Sequence, residues 1–93
     1  MEKYSLSVFL HPSCCNPNYL AAMLGKSQVY YRGRKYFFRC INERVYELCC
    51  NHNGIGGINS VGELFLYRGS ECFVRSMSEL RDLISLFNLF PIR

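Results

Sequence analysis

The segment between Gln28 and Cys50 constrains the fold more than any other part of the chain. It holds three short runs rich in aromatic and β-branched residues: Gln28–Tyr31, Tyr36–Ile41 and Val45–Cys50. The four residues RGRK and the three residues NER separate these runs. Short runs of this composition joined by short turns are typical of neighbouring antiparallel strands. We therefore predict an antiparallel meander at the centre of the fold.

A helix is predicted on each side of this meander. Asn16 supplies an N-cap and Pro17 a first helical residue, which predicts a helix over Pro17–Leu24. Near the C-terminus, Ser76 and Glu79 form an S-x-x-E capping box. An apolar stripe with helical spacing follows this box, formed by Leu80, Leu83, Ile84 and Phe87.

The remaining elements follow from alternation and from glycine content. We predict strands at Tyr4–Leu10, Val61–Tyr67 and Cys72–Val74. The glycine-rich segment Asn51–Gly57, with the sequence NHNGIGG, is predicted to be a loop. The predicted element order is β-α-β-β-β-β-β-α.

Length and composition limit the class of protein. The 93 residues correspond to one small domain, predicted over residues 1–93. The formal net charge of +4 favours an anionic partner. Adjacent cysteines rarely bridge each other, so the six cysteines are expected to be reduced thiols of a cytoplasmic protein. No signal peptide precedes the first strand and no apolar run approaches about 20 residues, so no membrane span is expected.

Three stretches of the chain resemble the SH2 domain family. The sequence YFFR at Tyr36–Arg39 is similar to the family's strand that ends in a phosphate-binding arginine. Val61–Leu66 is similar to the strand that carries the family's specificity contacts, and Cys72–Val74 with Met77–Phe87 resembles its closing strand and helix. The resemblance covers about residues 16–88. It implies an SH2-like α+β fold, in which a central antiparallel β-sheet is flanked by two α-helices.

The resemblance also implies a module that binds tyrosine-phosphorylated peptides or proteins without a cofactor. The residues that would hold the phosphate are Arg39, Asn42, Arg44 and Lys35. The residues that would contact the peptide beyond the phosphotyrosine are Leu64, Leu66 and Tyr67. A planar guanidinium on a rigid strand can donate two parallel hydrogen bonds to phosphate oxygens. Such a module would act as a decoy or adaptor in tyrosine-kinase signalling, for example as a pathogen effector in the cytoplasm of a host cell.

Some features depart from the family pattern. The stretch that matches the start of the family's first helix, NPN at residues 16–18, has no arginine, and Glu63 stands where a histidine is common. Arg39 could instead form a structural ion pair with a nearby glutamate: Glu43, Glu47 or Glu63. An alternative is therefore an SH2-like scaffold that has lost phosphotyrosine binding and contacts a protein partner through another surface.

Other patterns give alternatives of a different class. The pairs His11-x-x-Cys14 and Cys49-x-x-His52 could together ligate zinc in a tetrahedral site. Aromatic and basic residues interleave in the sequence YYRGRKYF at residues 30–37, as in platforms that bind single-stranded nucleic acid. The opposing interpretation places these aromatic side chains in the core. A small basic nucleic-acid-binding protein, with or without zinc, is the resulting alternative. No cysteine–histidine pair with an orienting acid stands out, so no catalytic role is expected.

Overall fold

The computed structural model describes residues 4–24, 27–42, 45–70 and 73–92. The strands are β1 Tyr4–Phe9, β2 Gln28–Tyr31, β3 Arg34–Asn42, β4 Val45–Cys50, β5 Asn53–Ile58 and β6 Glu63–Tyr67. The helices are α1 Pro17–Leu24 and α2 Met77–Leu86, and a 3₁₀ turn covers Pro12–Cys15. All six strands form one antiparallel sheet in the order β1-β6-β5-β4-β3-β2, so β1 and β2 are its edges.

Both helices pack against the same face of the sheet. One buried cluster contains Leu20 and Leu24 of α1, Leu80, Leu83 and Ile84 of α2, and alternate strand residues that include Tyr36, Phe38, Leu48, Leu64 and Leu66. The ring of Phe38 packs edge to face against Phe87 at the end of α2, with 4.8 Å between the ring centroids. Because side chains alternate across a strand, the residues between these positions point to the opposite face. No helix in the described part of the chain covers that opposite face.

The SH2-like fold class, with a central sheet flanked by two helices, is therefore wrong. The chain is mostly a six-stranded antiparallel sheet, and its helices of eight and ten residues contribute to a single core on one side. Element order does not specify the face on which each helix packs, so the sequence pattern was compatible with either arrangement. These helices are also short, and none in the described residues is long and apolar enough to cross a bilayer.

Local capping signals were reliable. The structure confirms α1, β2 and β4 at their predicted bounds, and α2 begins directly after Ser76, the N-cap residue of the predicted capping box. The hydroxyl of Ser76 accepts a hydrogen bond from the Glu79 N–H at 3.2 Å. The Glu79 carboxylate in turn accepts one from the Arg75 N–H at 2.7 Å. Two otherwise unsatisfied N–H groups at the start of α2 are thereby paired.

The glycine-rich segment is a strand from Asn53 onward, so the loop predicted over Asn51–Gly57 is confirmed only for the turn at Asn51 and His52. β5 lies in the middle of the sheet between β4 and β6. A Cβ on Gly56 would overlap the carbonyl oxygen of Phe65, and one on Gly57 would lie 2.7 Å from the carbonyl oxygen of Tyr46. These glycines therefore permit a close approach of neighbouring backbones. The predicted strand at residues 72–74 is also wrong over its described part, because Phe73 and Val74 lie outside any strand.

Candidate binding face of the sheet

The sheet face opposite the helices, here called the open face, is rich in aromatic side chains. Strand alternation and register place on it Tyr4, Ser7 and Phe9 of β1, Gln28 and Tyr30 of β2, Lys35, Phe37 and Arg39 of β3, Glu47 and Cys49 of β4, and Glu63, Phe65 and Tyr67 of β6. Six of these residues are aromatic, and two are cationic. An uncovered sheet face with this composition is a candidate binding surface.

One part of the open face is a packed aromatic group on β1 and β6. The rings of Tyr4 and Phe65 stack with 3.9 Å between their centroids. Tyr67 lies beside Phe65, with 5.8 Å between the ring centroids. The Phe65 ring extends over Gly57, where an added Cβ would lie 3.4 Å from its Cζ. This group covers Gly57 of β5.

An ion pair between Arg39 and Glu47 crosses the middle of the open face. The two residues are direct neighbours on β3 and β4, and both Nε (3.1 Å) and Nη2 of Arg39 donate to Oε1 of Glu47. The hydrogen bond with Glu47 raises the pKa of Arg39, so the guanidinium stays charged. The Arg39 side chain is 52% exposed and the Glu47 side chain 17%. The structural ion pair that the sequence left open is therefore formed, with Glu47 as the partner.

Beneath this pair, Cys49 is closed to solvent. The Cys49 side chain is fully buried, and this burial raises the pKa of its thiol; Glu47 adds to the rise and Arg39 opposes it. Burial also raises the pKa of the Tyr67 hydroxyl, and the Glu47 carboxylate adds to this effect. At neutral pH both groups are protonated. A protonated, buried thiol is a poor nucleophile.

This burial predicts unequal alkylation of two cysteines. In the folded protein at pH 7.5, iodoacetamide should modify the exposed Cys40 well before the buried Cys49. Peptide mapping by mass spectrometry after timed quenching would measure both rates, and the same reaction in urea is the control, because unfolding should bring the rates together. Equal rates in the folded protein would contradict the placement of Cys49.

The other part of the open face, on the β2 side, combines aromatic and cationic side chains that are accessible. We call Tyr30, Lys35, Phe37 and Arg39 the β2–β3 strip. Tyr30 is 72% exposed and lies directly across from Lys35. The Lys35 ammonium lies 5.7 Å from the centre of the Phe37 ring. Ring and cation thus alternate along the strip, and Tyr30 and Arg39 are its most accessible members.

The residues predicted to bind a phosphopeptide are divided between the two faces. Lys35, Arg39 and Tyr67 lie on the open face, and Asn42 is exposed at the end of β3. Arg44 lies outside the described residues. The side chains of Leu64 and Leu66 are 1% and 0% exposed and belong to the core beneath the helices. In this fold they hold the sheet against α2 and do not present a surface for a peptide.

The interleaved segment at residues 30–37 is divided in the same way. Tyr30 and Phe37 point to the open face, whereas Tyr36 is fully buried in the core and Tyr31 packs against that core. Neither interpretation of the sequence was therefore complete. Tyr4 and Phe65 were not identified from the sequence. Phe65 alternates out of phase with Leu64 and Leu66, whereas Tyr4 is in phase with Leu6 and reaches the open face because the register shifts between these two residues.

The candidate zinc ligands are not brought together. Cys14 is buried in the helix-side cluster, whereas Cys49 lies on the open face. His11 accepts from the Ser13 N–H in the 3₁₀ turn, and His52 lies in the turn between β4 and β5. Over residues 4–24, 27–42, 45–70 and 73–92, no three His, Cys, Asp or Glu side chains are placed to hold a metal ion.

Comparisons with protein-family models, curated proteins and solved structures found no match for this chain. A functional proposal therefore depends on the chemistry of the open face.

Proposed function

We propose that this chain is a non-enzymatic module that binds single-stranded nucleic acid through the β2–β3 strip. The observation that carries the proposal is the alternation of accessible rings and cations on a sheet face left uncovered by the described helices. Unpaired bases stack on exposed aromatic side chains in a manner that tolerates any sequence, and lysine or arginine side chains neutralise the phosphates between them.

The spacing within the strip suits an extended strand of nucleic acid. Lys35, Phe37 and Arg39 occupy alternate positions on β3, so neighbouring members are separated by roughly 7 Å along the sheet. A backbone that follows β3 would meet the Lys35 ammonium, the Phe37 ring and then Arg39, whose guanidinium it would share with the Glu47 carboxylate. Tyr30 offers a further ring beside Lys35. The net charge of +4 assists the approach of a polyanion. Duplex nucleic acid does not expose its base faces and would gain only the phosphate contacts.

A fluorescence anisotropy titration tests this proposal. A labelled single-stranded oligonucleotide of mixed sequence should bind with an affinity in the micromolar range at low salt, and a duplex of the same sequence should bind more weakly. The logarithm of the affinity should fall with the logarithm of salt concentration, by a slope of about −0.7 for each phosphate contacted. Lys35→Ala should make that slope shallower by about 0.7. Equal binding of single strand and duplex, or a slope that Lys35→Ala leaves unchanged, would contradict the proposal.

Phosphotyrosine binding is the second candidate, and one observation favours it. The Arg39 guanidinium is half exposed on the same strand face as Lys35, so two cations are available to one dianion. A phosphate would have to displace the Glu47 carboxylate from Nε and Nη2 of Arg39. A phosphotyrosine peptide and its unphosphorylated twin, titrated against the wild type and Arg39→Ala, test this candidate. Equal affinity of the wild type for both peptides would exclude it.

A further inference from the structure

We propose that β1 pairs with β1 of a second copy of this chain, so that two sheets join edge to edge. β1 is one edge of the sheet, and its inner neighbour is β6. A strand at an edge presents backbone N–H and C=O groups that can pair with another strand. The proposal depends on three observations: the direction of these groups, the composition of β1 and the apolar surface next to it.

The hydrogen bonds around the end of β1 show which backbone groups point outward. The Leu10 N–H donates to Gly62 O at 2.8 Å, which is toward β6. The Phe9 C=O accepts from the Ile92 N–H at 2.7 Å, which is away from β6. Backbone groups of successive residues in a strand point to opposite sides. The N–H and C=O of Ser7, two residues before Phe9, therefore point outward at the edge of the sheet.

The C-terminal segment covers only one end of this edge. It pairs with β1 through Ile92 and Phe9, and through the His11 N–H, which donates to Phe90 O at 2.7 Å. Within the described residues, no strand lies beside the outer side of β1 from Tyr4 to Val8. The outward N–H and C=O of Ser7 therefore lie beyond the part of the edge that this segment covers.

The composition of β1 favours another copy of itself as the partner. The sequence YSLSVF contains no charged residue and no proline, which are the usual features that prevent strands from pairing at an edge. Two β1 strands can therefore meet without like-charge repulsion across the pair, although the chain as a whole carries a net charge of +4. An antiparallel pair of identical strands has two-fold symmetry, which is the commonest symmetry of protein dimers.

Apolar surface lies next to this edge. Four large apolar side chains are each more than half exposed near the end of β1: Phe9, Val61, Phe90 and Ile92. The register places Ile92 opposite Phe9, and Phe90 and Val61 on either side of His11. Contiguous exposed apolar surface is typical of contacts with other molecules. In the dimer, the open faces of both copies lie on the same side of one continuous sheet, with the two β2–β3 strips at its outer ends.

Substitution of Ser7 tests pairing at the edge without changing the rest of the fold. Ser7→Pro removes the outward N–H while leaving the hydrogen bonds between β1 and β6 intact, because proline is tolerated on an edge strand. Ser7→Ala retains the N–H and is the matched control. In analytical ultracentrifugation the wild type and Ser7→Ala should be dimers. Ser7→Pro should dimerise about 30-fold more weakly, because the symmetry removes two hydrogen bonds at once.

A second measurement does not depend on a variant. Amide hydrogen exchange of Ser7 in the wild type should slow as the protein concentration rises, because the dimer protects that N–H. A wild type that stays monomeric at millimolar concentration would overturn the proposal, and so would a Ser7→Pro dimer as tight as the Ser7→Ala dimer. An exchange rate at Ser7 that is independent of protein concentration would also overturn the proposal. All of these measurements are made without nucleic acid, so their results do not depend on the proposed function.

Discussion

Replacement of Gly56 by alanine should lower the free energy of unfolding by about 3 kcal/mol, through overpacking that cannot relax. The added Cβ would overlap the carbonyl oxygen of Phe65 and approach the Cα of Leu66 to 3.0 Å, and both of these are backbone atoms. Since Gly56 and Leu66 are register partners, relief of the overlap requires β5 and β6 to separate. Urea unfolding followed by circular dichroism would measure the loss. The total free energy of unfolding of a small domain is only about 5–15 kcal/mol, so the shift of the urea midpoint should be evident.

Gly54→Ala is the matched control for this prediction. The three atoms nearest the Cβ of this variant belong to the Glu47 carboxylate, the end of a flexible side chain that can move aside at the cost of its surface ion pair with Arg39. We expect a loss of about 1 kcal/mol or less, as for most substitutions outside the core. Equal destabilisation by the two variants would contradict the close β5–β6 approach described above. An unchanged urea midpoint for Gly56→Ala would contradict it as well.

β5 also shows why part of the fold could not be predicted from the sequence. The segment NHNGIGG has the composition of a loop, and only its position between two strands makes it a strand. Glycine is unfavourable in an isolated strand, but at Gly56 and Gly57 any side chain would meet a neighbouring backbone. Such a requirement arises from tertiary packing, and local composition does not encode it.

Features determined by neighbouring residues were predicted well. The N-cap Asn16 accepts hydrogen bonds from the N–H groups of Asn18 and Tyr19, and the capping box at Ser76 fixes the start of α2. The face on which each helix packs depends on the whole sheet, and it was predicted wrongly. The candidate site was found in part: the ring-and-cation pattern of residues 30–37 was visible, but not which rings point outward.

The largest expected loss of nucleic-acid affinity follows from removing a ring and a cation together. Tyr30→Ala/Lys35→Ala removes two cross-strand neighbours on the open face. The loss of one stacked base is equivalent to about 1–3 kcal/mol, and one phosphate contact is lost in addition. We therefore expect an affinity about 100-fold weaker than that of the wild type for a single-stranded oligonucleotide at low salt. Both side chains are accessible, so circular dichroism and the urea midpoint should stay close to those of the wild type.

Tyr19→Ala/Arg81→Ala provides a control that also removes one tyrosine and one positive charge. Tyr19 is exposed on α1 and Arg81 on α2, so both lie in the helical layer and away from the open face. The general loss of one positive charge affects both double variants alike. Only a contact on the open face can distinguish them.

The most direct test of the open face as the binding surface is an anisotropy titration of these two double variants at the same ionic strength. We expect Tyr19→Ala/Arg81→Ala to bind the single-stranded oligonucleotide with an affinity within a few fold of that of the wild type. Tyr30→Ala/Lys35→Ala should bind about 100-fold more weakly. Equal affinities for the two double variants would contradict the assignment of the open face as the binding surface. A wild type that does not bind the oligonucleotide would contradict it as well.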